Sequence, residues 1–160
     1  MSQTAEAVAQ PELEPADLEL LFPPRPEYVR MARHTVAALA RLHDLPDDVV
    51  EDVKLAVSEA CTNAVTVNAA DDQPVRVVAT VTGDGLLIEV FDAGPGMDPS
   101  LIDRDPELDS EEFTFERGLS LPMIRGLVDE LQIVPNEDHG TVVRMRLAAV
   151  PPGPAEGLGS

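Results

Sequence analysis

A chain of 160 residues, 44% of them hydrophobic, is long enough for one domain with a real core and too short for two ordinary ones. Its 11 basic and 30 acidic side chains give a formal net charge of −19, which argues against nucleic acid or an anionic membrane surface as partner. Aromatics at 3% leave no base-stacking platform, and the single cysteine, Cys61, excludes an intramolecular disulfide and a cysteine-rich zinc site.

Residues 1–16 are polar, acidic and twice interrupted by proline, and read as a flexible arm. Leu18 to Phe22 reads as a short strand closed by Pro23-Pro24. Pro26 suits a first helical turn, and Val29, Ala32, Val36, Leu39 and Ala40 repeat at helical spacing up to about His43. Leu45-Pro46-Asp47-Asp48 restarts the chain, and Val49, Val53, Ala56, Val57, Ala60 and Ala64 trace a second helix ending near Val67. Two β-rich runs, Val75–Thr82 and Leu86–Phe91, flank Gly83-Asp84-Gly85, the signature of a hairpin.

Residues 98–116 then hold eight acids and one base, Arg104, a long charged segment of functional length. A third helix is expected over about Leu119–Leu131, followed by strands at Gln132–Val134 and Thr141–Leu147. The Pro/Gly-rich residues 149–160 read as a disordered tail. The order βααββ–loop–αββ predicts an α+β domain over residues 17–148, a two-layer sandwich of a mainly antiparallel sheet with helices on one face. With no apolar run near 18 residues and no basic N-terminal signal, a cytoplasmic location is expected.

Several chemistries lack their anchors. The sequence holds no GxxxxGKS or GxxxxGKT phosphate loop, no HExxH pair and no GxSxG elbow. What it does hold is a run of four unusual constellations. Glu59 and Asn63 stand at i and i+4 on one helix face, suited to a hard cation and a nearby hydroxyl, or to a solvated polar face. Asp92-Ala93-Gly94-Pro95-Gly96-Met97 follows the strand LLIEVF, as at a close backbone approach to a ligand or at a tight turn. Glu116-Arg117-Gly118-Leu119-Ser120-Leu121 opens a helix, where free N–H groups and Arg117 favour phosphate, or where a glycine merely precedes the helix. Gly140-Thr141 enters the last strand.

Taken in this order, the four constellations resemble the histidine-kinase-like ATPase superfamily (GHKL), with its Bergerat ATP-binding fold. VKLAVSEACTNAV, FDAGPGM and GLSLPMIRGLVDEL most resemble the small bacterial anti-sigma-factor serine-protein kinases, over about residues 18–147. The resemblance implies that Asn63 holds Mg²⁺ against the ATP phosphates and that Glu59 is the general base for the attacking hydroxyl. It implies that Asp92 contacts the adenine amino group, with Gly94 and Gly96 allowing close approach and Thr141 nearby. It further implies an ATP lid over residues 98–117, Gly118 at the phosphate-facing helix start, and Met97, Arg117, Leu119 and Ser120 in the same nucleotide site.

The implied activity is ATP- and Mg²⁺-dependent phosphorylation of an anti-anti-sigma (STAS-domain) partner, together with sequestration of a sigma factor. A homodimer, as in related kinases, is a further implication. Two departures from the family pattern motivate an alternative. Ser120 stands where a second glycine is frequent, and Val67 where many members carry a histidine. With the acidic lid, these fit a nucleotide-sensing anti-sigma or adaptor module without significant kinase activity. A stressosome-like kinase that activates a phosphatase carries similar motifs and differs in its partner. In either anti-sigma reading, the acidic surface is expected to meet a basic face of the sigma factor.

Overall fold

Small apolar residues let the two long helices lie close to each other and to a sheet. Helix α1 (Glu27–Leu42) buries Ala32, Val36, Ala37 and Ala40, and helix α2 (Asp47–Ala69) buries Val50, Val53, Ala56, Val57, Ala60, Cys61 and Ala64. The computed structural model describes residues 16–94, 120–136 and 140–149. The expected N-terminal arm, lid and C-terminal tail therefore fall almost wholly outside the described residues.

Five strands form one antiparallel sheet: β1 (Leu18–Phe22), β2 (Val75–Thr82), β3 (Gly85–Asp92), β4 (Glu130–Pro135) and β5 (Thr141–Ala148), in the order β1-β2-β3-β5-β4. A short helix, α3 (Ser120–Arg125), precedes β4. Alternation along the strands sends Val75, Val77 and Ala79 of β2, Leu86, Ile88 and Val90 of β3, and Val143, Met145 and Leu147 of β5 into the core beneath the helices. The opposite face carries cross-strand ion pairs instead: Arg76 with Glu19 at 2.6 Å, Arg144 with Glu89 at 2.9 Å and Arg146 with Glu130 at 3.2 Å. The expected α+β two-layer architecture is present. Among the described residues no helix is long and apolar enough to cross a membrane.

Both long helices stop in the same way. Asp44 (φ 60°) and Asp72 (φ 54°) take the left-handed conformation. The Asp44 and Leu45 amides donate back to the Arg41 and Ala40 carbonyls. The Asp72 and Gln73 amides do the same to Ala69 and Asn68. These are Schellman closures with aspartate in the usual glycine place, and each occupies helix-end carbonyls that would otherwise lack partners.

One expected element changes. The third helix ends at Arg125 rather than about Leu131, and β4 starts at Glu130, two residues earlier than read from the sequence. Gly126 is a poor helix former, and its amide already donates to Pro122 and Met123. Beyond it the Asp129 amide donates to the Arg146 carbonyl at 2.9 Å, and Glu130 and Leu131 register with Arg146 and Met145. The Leu127 and Val128 amides donate back to the Ile124 carbonyl and close the turn, and from Asp129 onward pairing with β5 overrides the helical spacing that Leu131 continues.

Candidate nucleotide site

The polar residues buried in this domain gather where the C-terminal third of α2 meets the end of β3 and the start of β5. Asn63, Asn68, Asp92 and Thr141 are the buried polar side chains among the described residues. Asp92 and Thr141 are direct cross-strand partners, and both continue the inward-facing rows of their strands. At the sheet margin those rows therefore change from Val90 and Val143 to a carboxylate and a hydroxyl.

The loop after β3 is pinned from several sides. Asp92 Oδ1 accepts the Gly94 amide at 2.9 Å, and Asn68 Oδ1 accepts the Ala93 amide at 2.8 Å. A Cβ on Gly94 would collide with Cγ1 of Val67, so the α2 side chain lies directly on the loop backbone. Gly140 (φ 96°) passes so close on the other side that a Cβ there would collide with the Asp92 carbonyl oxygen. Its left-handed backbone independently favours glycine. These two close approaches give the glycine after the acid and the glycine before the threonine a physical reason.

Along α2 the spacing of four sets Glu59, Asn63 and Val67 in one row leading to Gly94. Glu59 is half-buried and Asn63 only 8% exposed, and Glu59, Asn63 and Asp92 each have a partner within the protein. Thr141 differs: its hydroxyl is buried and finds no hydrogen-bond partner among the described residues. A buried hydroxyl beside a carboxylate, under loops that tolerate no Cβ, is chemistry that fits a planar base bearing an amine and ring nitrogens.

Cys61, two residues before Asn63, takes no part. It is fully buried, and burial pushes its thiol up to about 12, far from a nucleophilic thiolate. Among the described residues no group of three or more His, Cys, Asp or Glu side chains is placed to hold a metal.

Of the residues singled out in the sequence, Asp92, Gly94 and Thr141 meet at the sheet margin, and Glu59 and Asn63 lie on the α2 row that runs to Gly94 through Val67. Ser120 begins α3. Gly96, Met97, Arg117, Gly118 and Leu119 lie outside the described residues. Asn68 escaped the sequence reading, although a signal was present. It falls on the apolar stripe Val57, Cys61, Ala64, Asn68, where an amide is out of place unless it is used.

Comparison with known proteins agrees with this geometry. Residues 22–147 match the family model of the histidine kinase-like ATPase domain. The chain is 37% identical over 135 residues to a serine-protein kinase RsbW of Bacillus cereus, covering 80% of this chain and 82% of the relative. It is 31% identical over 135 residues to the serine-protein kinase RsbW of Oceanobacillus iheyensis, with 80% and 84% covered. Among solved structures, the RsbU and RsbW domains of Rv1364c from Mycobacterium tuberculosis share the fold, with a TM-score of 0.60 and 20% identity. That match covers 84% of this chain and 33% of the longer one. A chain of the SiaB–SiaC complex from Pseudomonas aeruginosa matches with a TM-score of 0.59 and 14% identity, covering 81% and 89%. The chain belongs to the histidine kinase-like ATPase family, alongside the serine-protein kinases named RsbW.

Proposed function

We propose that the protein is an ATP- and Mg²⁺-dependent serine/threonine-protein kinase of the anti-sigma type. Its substrate would be a STAS-domain anti-anti-sigma protein, and it would sequester a sigma factor when that partner is phosphorylated. The observation that carries the reading is the buried Asp92–Thr141 pair at the end of the sheet, reached along α2 by the row Glu59, Asn63, Val67.

In this reading Asp92 accepts a hydrogen bond from the adenine amine, and the Thr141 hydroxyl gains the partner it otherwise lacks. Asn63 holds Mg²⁺, which when bound neutralises phosphate charge. Glu59 takes the proton of the attacking seryl or threonyl hydroxyl, whose oxygen bonds to the γ-phosphorus as ADP leaves. Phosphoryl transfer asks a protein mainly for positioning and charge neutralisation, and these residues suit both. Residues 98–117, with Gly118 and Arg117, would cover and contact the phosphates.

The test is transfer of labelled γ-phosphate from ATP·Mg²⁺ to a STAS-domain partner. Transfer by the wild type, with loss of at least about 100-fold in Glu59→Gln and retained partner binding, is the expected result. Absence of transfer from the wild type would sink the kinase reading. The apolar contact of Val67 on Gly94 favours a second reading, a nucleotide-sensing anti-sigma or adaptor module, because it leaves no titratable group at that position. Nucleotide-dependent sigma-factor binding that Glu59→Gln leaves unchanged, without transfer, would support it.

A further inference from the structure

Asn68 is 1% exposed, and its side chain is used at both ends. Nδ2 donates to the Pro74 carbonyl oxygen at 2.9 Å, and Oδ1 accepts the Ala93 amide at 2.8 Å. Its backbone carbonyl also accepts the Asp71 and Gln73 amides that close α2. One residue therefore ties together the last turn of α2, the entry to β2 and the exit from β3. A carboxamide supplies the donor and the acceptor at once, whereas an apolar side chain would leave both Pro74 O and the Ala93 amide without this partner.

The Ala93 bond matters because of its neighbours. Ala93 lies between Asp92, whose Oδ1 accepts the Gly94 amide, and Gly94, which rests on Val67. The two consecutive amides after Asp92 are thus held, one by Asn68 and the next by the Asp92 carboxylate itself. Loss of the Ala93 bond would free the loop backbone to shift, and with it the Gly94 amide that holds the Asp92 carboxylate at the sheet margin opposite Thr141.

We propose that Asn68 is a positioning residue for purine selection: through the Ala93 amide it fixes the direction of the Asp92 carboxylate, and so sets discrimination for a purine that carries an exocyclic amine. This rests on the reading of Asp92 as the group that contacts the adenine amine.

The experiment is calorimetric titration of the full chain, with Mg²⁺, by ATP and by purine riboside triphosphate, which lacks the amine. The wild type is expected to prefer ATP. Asn68→Ala should weaken ATP binding about tenfold while leaving the purine analogue within about twofold, so that the preference collapses. Asn68→Asp keeps an oxygen for the Ala93 amide and should retain the preference, even though its bond to Pro74 is disturbed. Asn68→Ser, too short to reach Ala93, serves in place of Asn68→Ala if that variant does not fold, with the same expected collapse.

Two outcomes overturn the role of Asn68 alone. One is a short-side-chain variant that keeps the wild-type preference. The other is loss of both nucleotides by Ala and Asp variants in step with their melting temperatures. A wild type that binds ATP and the purine analogue equally overturns the reading of Asp92 as well, and one that binds neither overturns the nucleotide site itself.

Discussion

The two ends of the strand pair β3–β5 are built from opposite materials. At the hairpin end Leu86 registers with Leu147, and both are buried among apolar neighbours. At the other end, the same inward-facing rows finish in Asp92 opposite Thr141, with Asn68 and Asn63 of α2 buried nearby. Burial of polar groups stabilises little and costs heavily when a partner is lacking, so the polar end is poor material for a core. The apolar end holds the domain together, and in the proposed reading the polar end serves recognition. That division predicts that stability and nucleotide affinity respond to different residues.

The largest expected effect lies at the apolar end. Leu86→Ala should cost about 2–5 kcal/mol in chemical denaturation, through lost burial and the cavity left behind. The nucleotide affinity of the folded protein should remain at the wild-type value. A parallel loss of affinity would dissolve the distinction between the ends. Next comes Gly94→Ala, where the new methyl group meets Cγ1 of Val67. Overpacking of this kind costs about 1–3 kcal/mol, and here it should also weaken nucleotide binding, because the loop after Asp92 must move. Val67→Ala in the same chain makes room for the methyl group and should restore most of both losses, a coupling that a double-mutant cycle measures directly.

Much of this was legible before any coordinates. Periodicity located α1, α2 and the β2–β3 hairpin within a residue or two, because each is amphipathic and bounded by proline, aspartate or glycine. The third helix was overread, since Leu127, Val128 and Leu131 keep helical spacing, yet Leu127 and Val128 only close the turn after α3 and Leu131 pairs with β5, a long-range contact that local pattern does not encode. Glu59, Asn63, Asp92 and Gly94 stood out as polar or glycine residues within patterned elements, whereas Thr141 drew notice only through the family resemblance. Asn68 did not, because its use depends on Pro74 and Ala93, which only folding brings to it. Val67 was noticed only as a departure, and its contact with Gly94 is likewise a product of packing.

Cys61 sharpens the comparison from the middle of α2. Its thiol, pushed by burial from 9.0 up to about 12, behaves as an apolar group behind Asn63. The unfolded chain releases this proton at a lower pH than the folded one. The stabilising contribution is therefore fully present below about pH 9 and is lost as pH rises towards 12, at no more than about 1.4 kcal/mol per pH unit. Denaturation of wild type and Cys61→Ala across pH 8 to 11 should show this slope in the wild type alone. The native thiol should also resist iodoacetamide until the chain unfolds.

The smallest effect is the most discriminating, because its two halves have opposite signs. Thr141→Val removes a buried hydroxyl that has no partner among the described residues and substitutes a methyl group at a β-strand position. Relief of that unsatisfied group should raise the stability of the ligand-free protein by about 0.5–1 kcal/mol. The same change removes a hydrogen-bonding group from beside Asp92, so nucleotide affinity should fall severalfold. Val143→Thr, the reverse swap at the next inward-facing position of β5, adds a hydroxyl to the apolar core and should lower stability without touching affinity. If Thr141 were simply a tolerated core residue, its replacement by valine would leave affinity unchanged. Stability rising while binding falls has one physical source, a polar group kept in the fold at a cost because a ligand supplies its partner.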